Sequence, residues 1–210
     1  MTMEPRSGGE ALIERYSAEW HAATRHPFLE AIANGSLSAA AFNTWLAQDY
    51  LFVADLLVFQ AQLLARAPRA AQAVLAAGLV ALEAELGWFE GRVQRRGLGP
   101  HVERQPTTVR YKAILDRLNG APYAVAITGL WTLERAYLDA WHGALPCADA
   151  YREFVEHWTV PAFGDYVAGL ARAADLALSS ATARVRAQSE AAFIDVARME
   201  RDFWEMAWSG

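Results

Sequence analysis

Proline and glycine punctuate this chain at intervals that leave only helical segments between them. No stretch alternates β-branched and polar residues as a strand does, and Ala, Leu, Glu and Arg dominate. The spacing predicts a first helix from about Glu10 to Thr24, after a flexible start over residues 1–9. His26-Pro27-Phe28 opens a short second helix that Asn34-Gly35 closes, Pro being suited to a first helical turn. Ser38 is placed to cap a long helix reaching about Ala67, where Pro68 interrupts. A second long helix covers Arg69 to Arg96 and stops at Gly97-Leu98-Gly99-Pro100, with His101 to Gln105 as a connecting loop. Pro106-Thr107 begins the next helix, which ends at Asn119-Gly120, and Ala121-Pro122 restarts the chain toward Gly143. Shorter helices follow over Asp149 to Trp158 and Pro161 to Leu178. Ser180 is placed to cap the last, which ends near Trp208. Helices of this length on short loops predict a single all-α domain over residues 10–210, a compact antiparallel bundle.

Three of these helices carry an acid on what should be their buried stripe. Residues three, four and seven positions apart share a helix face. Around Asp49 those neighbours include Phe42, Trp45, Phe52 and Leu56; around Glu134, Ile127, Trp131, Tyr137 and Trp141; around Glu200, Phe193, Val196, Phe203 and Trp204. An unpaired buried charge is costly, so such groups are paired, protonated, metal-bound or turned to a cavity. A single acid on an apolar stripe is more often a core carboxylate satisfied by another helix. Glu85 shows this, since Gly78, Leu82, Trp88 and Phe89 surround it in the same way and the sequence offers it no role. Three such acids in aromatic company are the makings of a small-molecule site. Most of the eight tryptophans read as core, with Trp45, Trp131 and Trp204 the candidates for pocket walls.

Composition removes several classes. A net charge of −5 leaves no basic footprint for nucleic acid. Arg95 and Arg96 complement a helix dipole. The single Cys147, in a loop after Pro146, excludes an internal disulfide and multi-cysteine metal sites. No uninterrupted apolar run reaches the ~20 residues of a membrane span, and the start lacks the apolar stretch of a secretory signal. These features predict a soluble cytoplasmic protein with no membrane partner.

The order His26-Pro27-Phe28, Asn34-Gly35-Ser36-Leu37, Phe42, Trp45 and Gln48-Asp49-Tyr50 resembles the N-terminal signature of the TenA family. That family comprises thiaminase II and its relatives in pyrimidine salvage, with the all-α haem-oxygenase-like fold. Leu82-Glu83-Ala84-Glu85-Leu86, Pro106-Thr107 with Tyr111, and Glu200 followed by Phe203-Trp204 and Met206-Ala207 continue the resemblance. It implies that Asp49 hydrogen-bonds an aminopyrimidine ring and that Glu200 is an acid/base glutamate. It places Tyr111 and Phe163 against the substrate, with Phe52 standing where many members have a tyrosine, and Tyr137, on the Glu134 face of its helix, is expected as a further wall. No cofactor and no metal are expected, and the resemblance implies a homodimer or homotetramer.

The chain departs from the thiaminase pattern in one helix. Thiaminase members carry a nucleophilic cysteine where this chain reads Trp131-Thr132-Leu133-Glu134. Glu134 takes that place, as in the branch of the family where glutamate replaces cysteine. A carboxylate is a far poorer nucleophile than a thiolate, but it can activate water or protonate a leaving amine. The resemblance therefore implies C–N hydrolysis of aminopyrimidine products of thiamin breakdown, with Glu134 and Glu200 catalytic. Beside it stand an enzyme acting on another small molecule, since Phe52 and the aromatic near Phe163 leave the pocket's shape open, and two rivals of a different kind. One is a non-catalytic aminopyrimidine carrier. The other is a di-iron oxidase of the same fold, starting from Glu83, Glu90 and Glu134, although no two of the five histidines are spaced as helical ligands.

Overall fold

The computed structural model describes residues 8–98 and 102–209, and every regular element among them is helical. The first predicted helix is two: α1 (Gly8–Arg15) and α2 (Ser17–Thr24). The chain breaks at Tyr16, where φ is −112° and ψ 40°. The bend lets α1 lie against one helix of the bundle and α2 against two others. The start therefore corrects the expectation of a flexible segment at its last two positions, residues 1–7 lying outside the described ones. Gly8 and Gly9 are helical, and Gly9 N–H donates to Asp175 Oδ1 at 3.1 Å. A Cβ on Gly9 would come within 2.6 Å of the Trp131 ring, so only glycine allows this approach.

The next elements fall where the breakers put them. α3 (Pro27–Asn34) begins with the His26 ring, whose Nδ1 accepts from Phe28 N–H at 3.2 Å, and ends on Gly35 at φ 78°. α4 (Ala39–Ala65) is capped by Ser38 Oγ, which accepts from Ala41 N–H at 3.1 Å. Ser38→Ala should cost about 1 kcal/mol of stability in a urea titration. α5 (Arg69–Arg95), α6 (Pro106–Asn119) and α7 (Tyr123–Gly143) follow. The predicted helix over Asp149 to Trp158 is a 3₁₀ turn, Asp149–Tyr151, continued by α8 (Arg152–Thr159). α9 (Pro161–Ser179) and α10 (Ala183–Ser209) complete the chain. Ser180 does not cap α10. Its hydroxyl donates to Ala177 O, and Thr182 Oγ1 accepts from Val185 N–H instead, at 3.3 Å. The linker over His101 to Gln105 is described only from residue 102.

α7 is the axis. From Ala124 to Glu134 every residue is buried, so this helix is enclosed on all sides. Its buried hydroxyls are satisfied locally: Thr128 and Thr132 donate to the carbonyls of Ala124 and Thr128, at 2.7 and 2.8 Å. α10 and α9 pack along α7, and α4 pairs with α5 and crosses α10. Between these layers Trp45, Trp141 and Trp158 form one aromatic block, the last two stacked at 4.9 Å. Trp131 lies elsewhere, against Phe193 and the start of α1.

α5 is the exception to efficient burial. Its length and mean hydropathy of 1.4 meet those of a membrane span, a stretch that charged residues interrupt in sequence. Ala71, Leu75, Gly78, Leu82, Phe89 and Val93 face inward, while Val80 is 72% exposed.

Candidate active site

Four helices each turn one carboxylate into the core. α4 supplies Asp49, α5 Glu85, α7 Glu134 and α10 Glu200. Asp49, Glu134 and Glu200 are 2, 6 and 3% exposed, as the apolar rings around them require. Asp49, Glu85 and Glu134 line one cavity, walled by Phe52, Tyr137, Trp158 and Phe163. Its volume of about 30 Å³ suits a water molecule or two, whereas small-molecule pockets begin near roughly 300 Å³. A larger groove of about 730 Å³ lies between the start of α5 and the end of α9, but no acid lines it.

Each acid meets a neutral partner from another helix. Tyr137 Oη donates to Asp49 Oδ2 at 2.5 Å, and Trp158 Nε1 to Glu85 Oε1 at 2.7 Å. Tyr111 Oη donates to Glu200 Oε1, and Tyr166, near Glu134, favours the charged form of that acid. Among the described residues no Lys or Arg lines the cavity. His157 Nε2 comes within 3.9 Å of Glu85 Oε1. Burial and the nearby Arg92 push that imidazole down to about 4, so it is neutral at pH 7.

Four acids without a cation cannot all ionise cheaply. Burial is the main cause in every case. It raises Asp49 and Glu134 well above their ordinary range, and the charges of Glu85 and Glu200 push both in the same direction. Burial raises Glu85 to about 7 and Glu200 to about 8, each opposed by its Trp158 or Tyr111 donor. Removing the Trp158 N–H takes away the bond that favours ionised Glu85. Trp158→Phe should therefore raise the Glu85 pKa above about 7, read from its carboxyl band in an infrared titration.

The predicted residues divide into two shells. Asp49, Phe52, Glu134, Tyr137 and Phe163 touch the cavity, and Tyr111 and Glu200 stand behind it. Tyr111 packs against Phe52 with ring centroids 4.4 Å apart and planes tilted by 37°, and Glu200 acts on Asp49 and Glu134 through its charge. The tryptophan expectation needs correction. Trp45, Trp131 and Trp204 do not line the cavity, and Trp158 does. Trp204 stacks on Tyr137 at 5.8 Å and donates to Ala23 O, which makes it a brace behind the wall. Glu85, to which the sequence offers no role, also lines the cavity, and its apolar ring carries the same signal as the other three. The iron trio does not assemble: Glu83 and Glu90 are exposed on α5, and Tyr50 Oη donates to Glu90 at 3.3 Å. Among the described residues no group of three or more His, Cys, Asp or Glu side chains could hold a metal ion.

Comparison with known proteins agrees with this architecture. The chain is similar to a Glycine max protein named "Probable bifunctional TENA-E protein", 30% identical and covering 94% of this chain and 92% of that one. It is 24% identical to the aminopyrimidine aminohydrolase of Halalkalibacterium halodurans, covering 95% of this chain and 94% of that enzyme. The solved structure of a TenA homologue from Pyrococcus furiosus superposes with a TM-score of 0.90 at 27% identity, covering 95% and 98% of the two chains. The TENA/THI-4/PQQC family model matches residues 14–210, and the chain belongs to that family.

Proposed function

We propose that this protein is a cytoplasmic hydrolase of C–N bonds in aminopyrimidine products of thiamin breakdown, of the glutamate-bearing branch of its family. The observation that carries the reading is a cavity lined by Asp49, Glu85 and Glu134 with aromatic walls and no cysteine. Cys147, the chain's one thiol, stands in the loop between α7 and α8, away from that lining. Acids without a cation suit a ligand rich in N–H donors, as an aminopyrimidine with an aminomethyl arm is. Asp49 accepts from the ring amine, and Phe52 and Phe163 flank the ring. Glu134 and Glu200 divide the work, one giving a proton to the departing nitrogen and the other taking one from water. The similarity to an aminopyrimidine aminohydrolase over nearly the whole chain supports this assignment.

Substrate needs more room than the closed cavity gives. Trp158 at the end of α8 and Phe163 in the first turn of α9 form the wall nearest a chain reversal, and they swing to admit it. The apolar outer side of α5, with its apolar stretch only 22% buried, supports assembly into a homodimer or homotetramer.

The test is turnover of 4-amino-5-aminomethyl-2-methylpyrimidine and its N-formyl derivative, with thiamin in parallel. The reading expects release of ammonia or formate from one of the first two. Thiamin cleavage contradicts it, and binding without turnover of any of the three favours a carrier.

A further inference from the structure

One carboxylate in the cavity has no part in the hydrolysis proposed above. Asp49 holds the ring amine and Glu134 serves the reaction, while Glu85 lines the same space from α5 without a task. A cavity of about 30 Å³ brings every group that lines it within reach of one small group of a ligand.

Glu85 is only half engaged. Trp158 Nε1 donates to its Oε1 at 2.7 Å, and among the described residues its Oε2 has no hydrogen-bond partner. The protein also supplies no cation for it. Among the described residues His157 is the one basic side chain within ion-pair reach, at 3.9 Å, and that imidazole is neutral at pH 7. Its ring lies flat against Trp88, with centroids 4.2 Å apart. Arg92 is engaged elsewhere, over the Trp88 ring at 4.0 Å and with Glu153 at 3.1 Å.

We propose that Glu85 determines specificity at this site: its free oxygen accepts an N–H of the substrate's aminomethyl arm, and the arm's ammonium is the cation its carboxylate lacks. The assignment rests on the hydrolase reading above. Asp49 fixes the ring through its amine, so Glu85 reads the arm, the part in which substrate and product differ. An ammonium brings three donors and a charge, whereas a hydroxyl brings one donor and no charge. Hydrogen bonds between charged groups are roughly twice as strong as neutral ones. The Trp158 N–H favours the carboxylate form of Glu85 and so prepares it for a cation. Hydrolysis puts oxygen where the nitrogen was, Glu85 loses its partner, and the product is held more weakly than the substrate.

The test compares 4-amino-5-aminomethyl-2-methylpyrimidine with its 5-hydroxymethyl counterpart, binding being read by tryptophan fluorescence on rapid mixing, before turnover. The wild type should bind the amine more tightly. Glu85→Gln keeps the volume of the side chain, and the Trp158 N–H holds the amide oxygen, so the amide NH₂ turns to the ligand. That group repels an ammonium and can still donate to a hydroxyl. The preference for the amine should fall by about 10- to 100-fold, the worth of a hydrogen bond to a charged group. An unchanged preference in a variant that binds both ligands overturns the proposal and leaves the hydrolase reading standing. A second measurement needs no variant. At pH 7 the amine, unlike the alcohol, should release protons to an indicator dye as it draws Glu85 to its carboxylate. Of the other groups that face this space, Asp49 from α4 and Glu134 from α7 stand well above the ordinary carboxylate range, and His157 from α8 has no proton to lose. Equal proton release by the two ligands overturns the proposal. A wild type that binds neither pyrimidine contradicts the hydrolase reading and the proposal with it.

Discussion

Glu134→Gln is expected to lower kcat for the aminopyrimidine substrate by about 10²- to 10⁴-fold while leaving the protein folded. The magnitude is that of losing a positioned acid or base. The side chain keeps its volume among Leu133, Tyr137 and Phe163, so no cavity opens. Folding should tolerate the change, because Glu134 is raised well above the ordinary carboxylate range and glutamine resembles its neutral form. Parallel kinetics and urea titrations check both halves. A variant that is inactive and unfolded says nothing of chemistry, whereas one that is folded and fully active removes Glu134 from the mechanism.

The second large effect is on stability, with a sign opposite to that of most enzymes at neutral pH. Glu200 stands at about 8 in the folded chain against an ordinary value of 4.5, and Glu85 at about 7. Below the ordinary value both states hold these protons, and stability is complete. Between 4.5 and 8 the folded chain still holds a proton on Glu200 that the unfolded chain has released. Stability therefore falls as pH rises through that window, each such group contributing a slope of about 1.4 kcal/mol per pH unit. Above about 8 the loss is complete. The urea midpoint of the wild type should drop steadily from pH 5 to pH 9. Glu200→Gln should flatten this dependence and exceed the wild type at pH 9 by about 2–4 kcal/mol, the upper part of the range applying if Tyr111 still donates to the amide oxygen. Parallel curves for the two proteins would mean that Glu200 does not carry a displaced pKa. A buried acid cluster that weakens its own fold in this way trades stability for function.

Much of this was legible in the sequence, for identifiable reasons. Pro27, Gly35, Pro68, Pro106 and Pro161 marked helix boundaries because each fixes or frees a backbone angle locally. Asp49, Glu134 and Glu200 were legible because periodicity reports which face of its own helix a residue occupies. Periodicity does not report which faces meet. That is why Trp131, one turn from Glu134 in sequence, lies against Phe193 and Gly9, while Trp158 from the distant α8 closes the cavity. The same limit hid Glu85, whose stripe gave the right signal but whose partner, Trp158, lies 73 residues away. It also hid the hydrogen bond from Tyr166 to Gln60, polar residues 106 positions apart. The break at Tyr16 was illegible for a different reason. No breaker stands there, and tertiary contacts of α1 and α2 with separate helices bend an otherwise helical stretch.

The most direct test is to follow 4-amino-5-aminomethyl-2-methylpyrimidine in oxygen-labelled water with the wild type and Glu134→Gln side by side. The wild type should release one ammonia for each hydroxymethylpyrimidine formed, with the label in the new hydroxyl, and the variant should lose both signals together. Ammonia release that persists in a folded Glu134→Gln protein, or a wild type that cleaves only thiamin, would contradict hydrolysis by the core carboxylates.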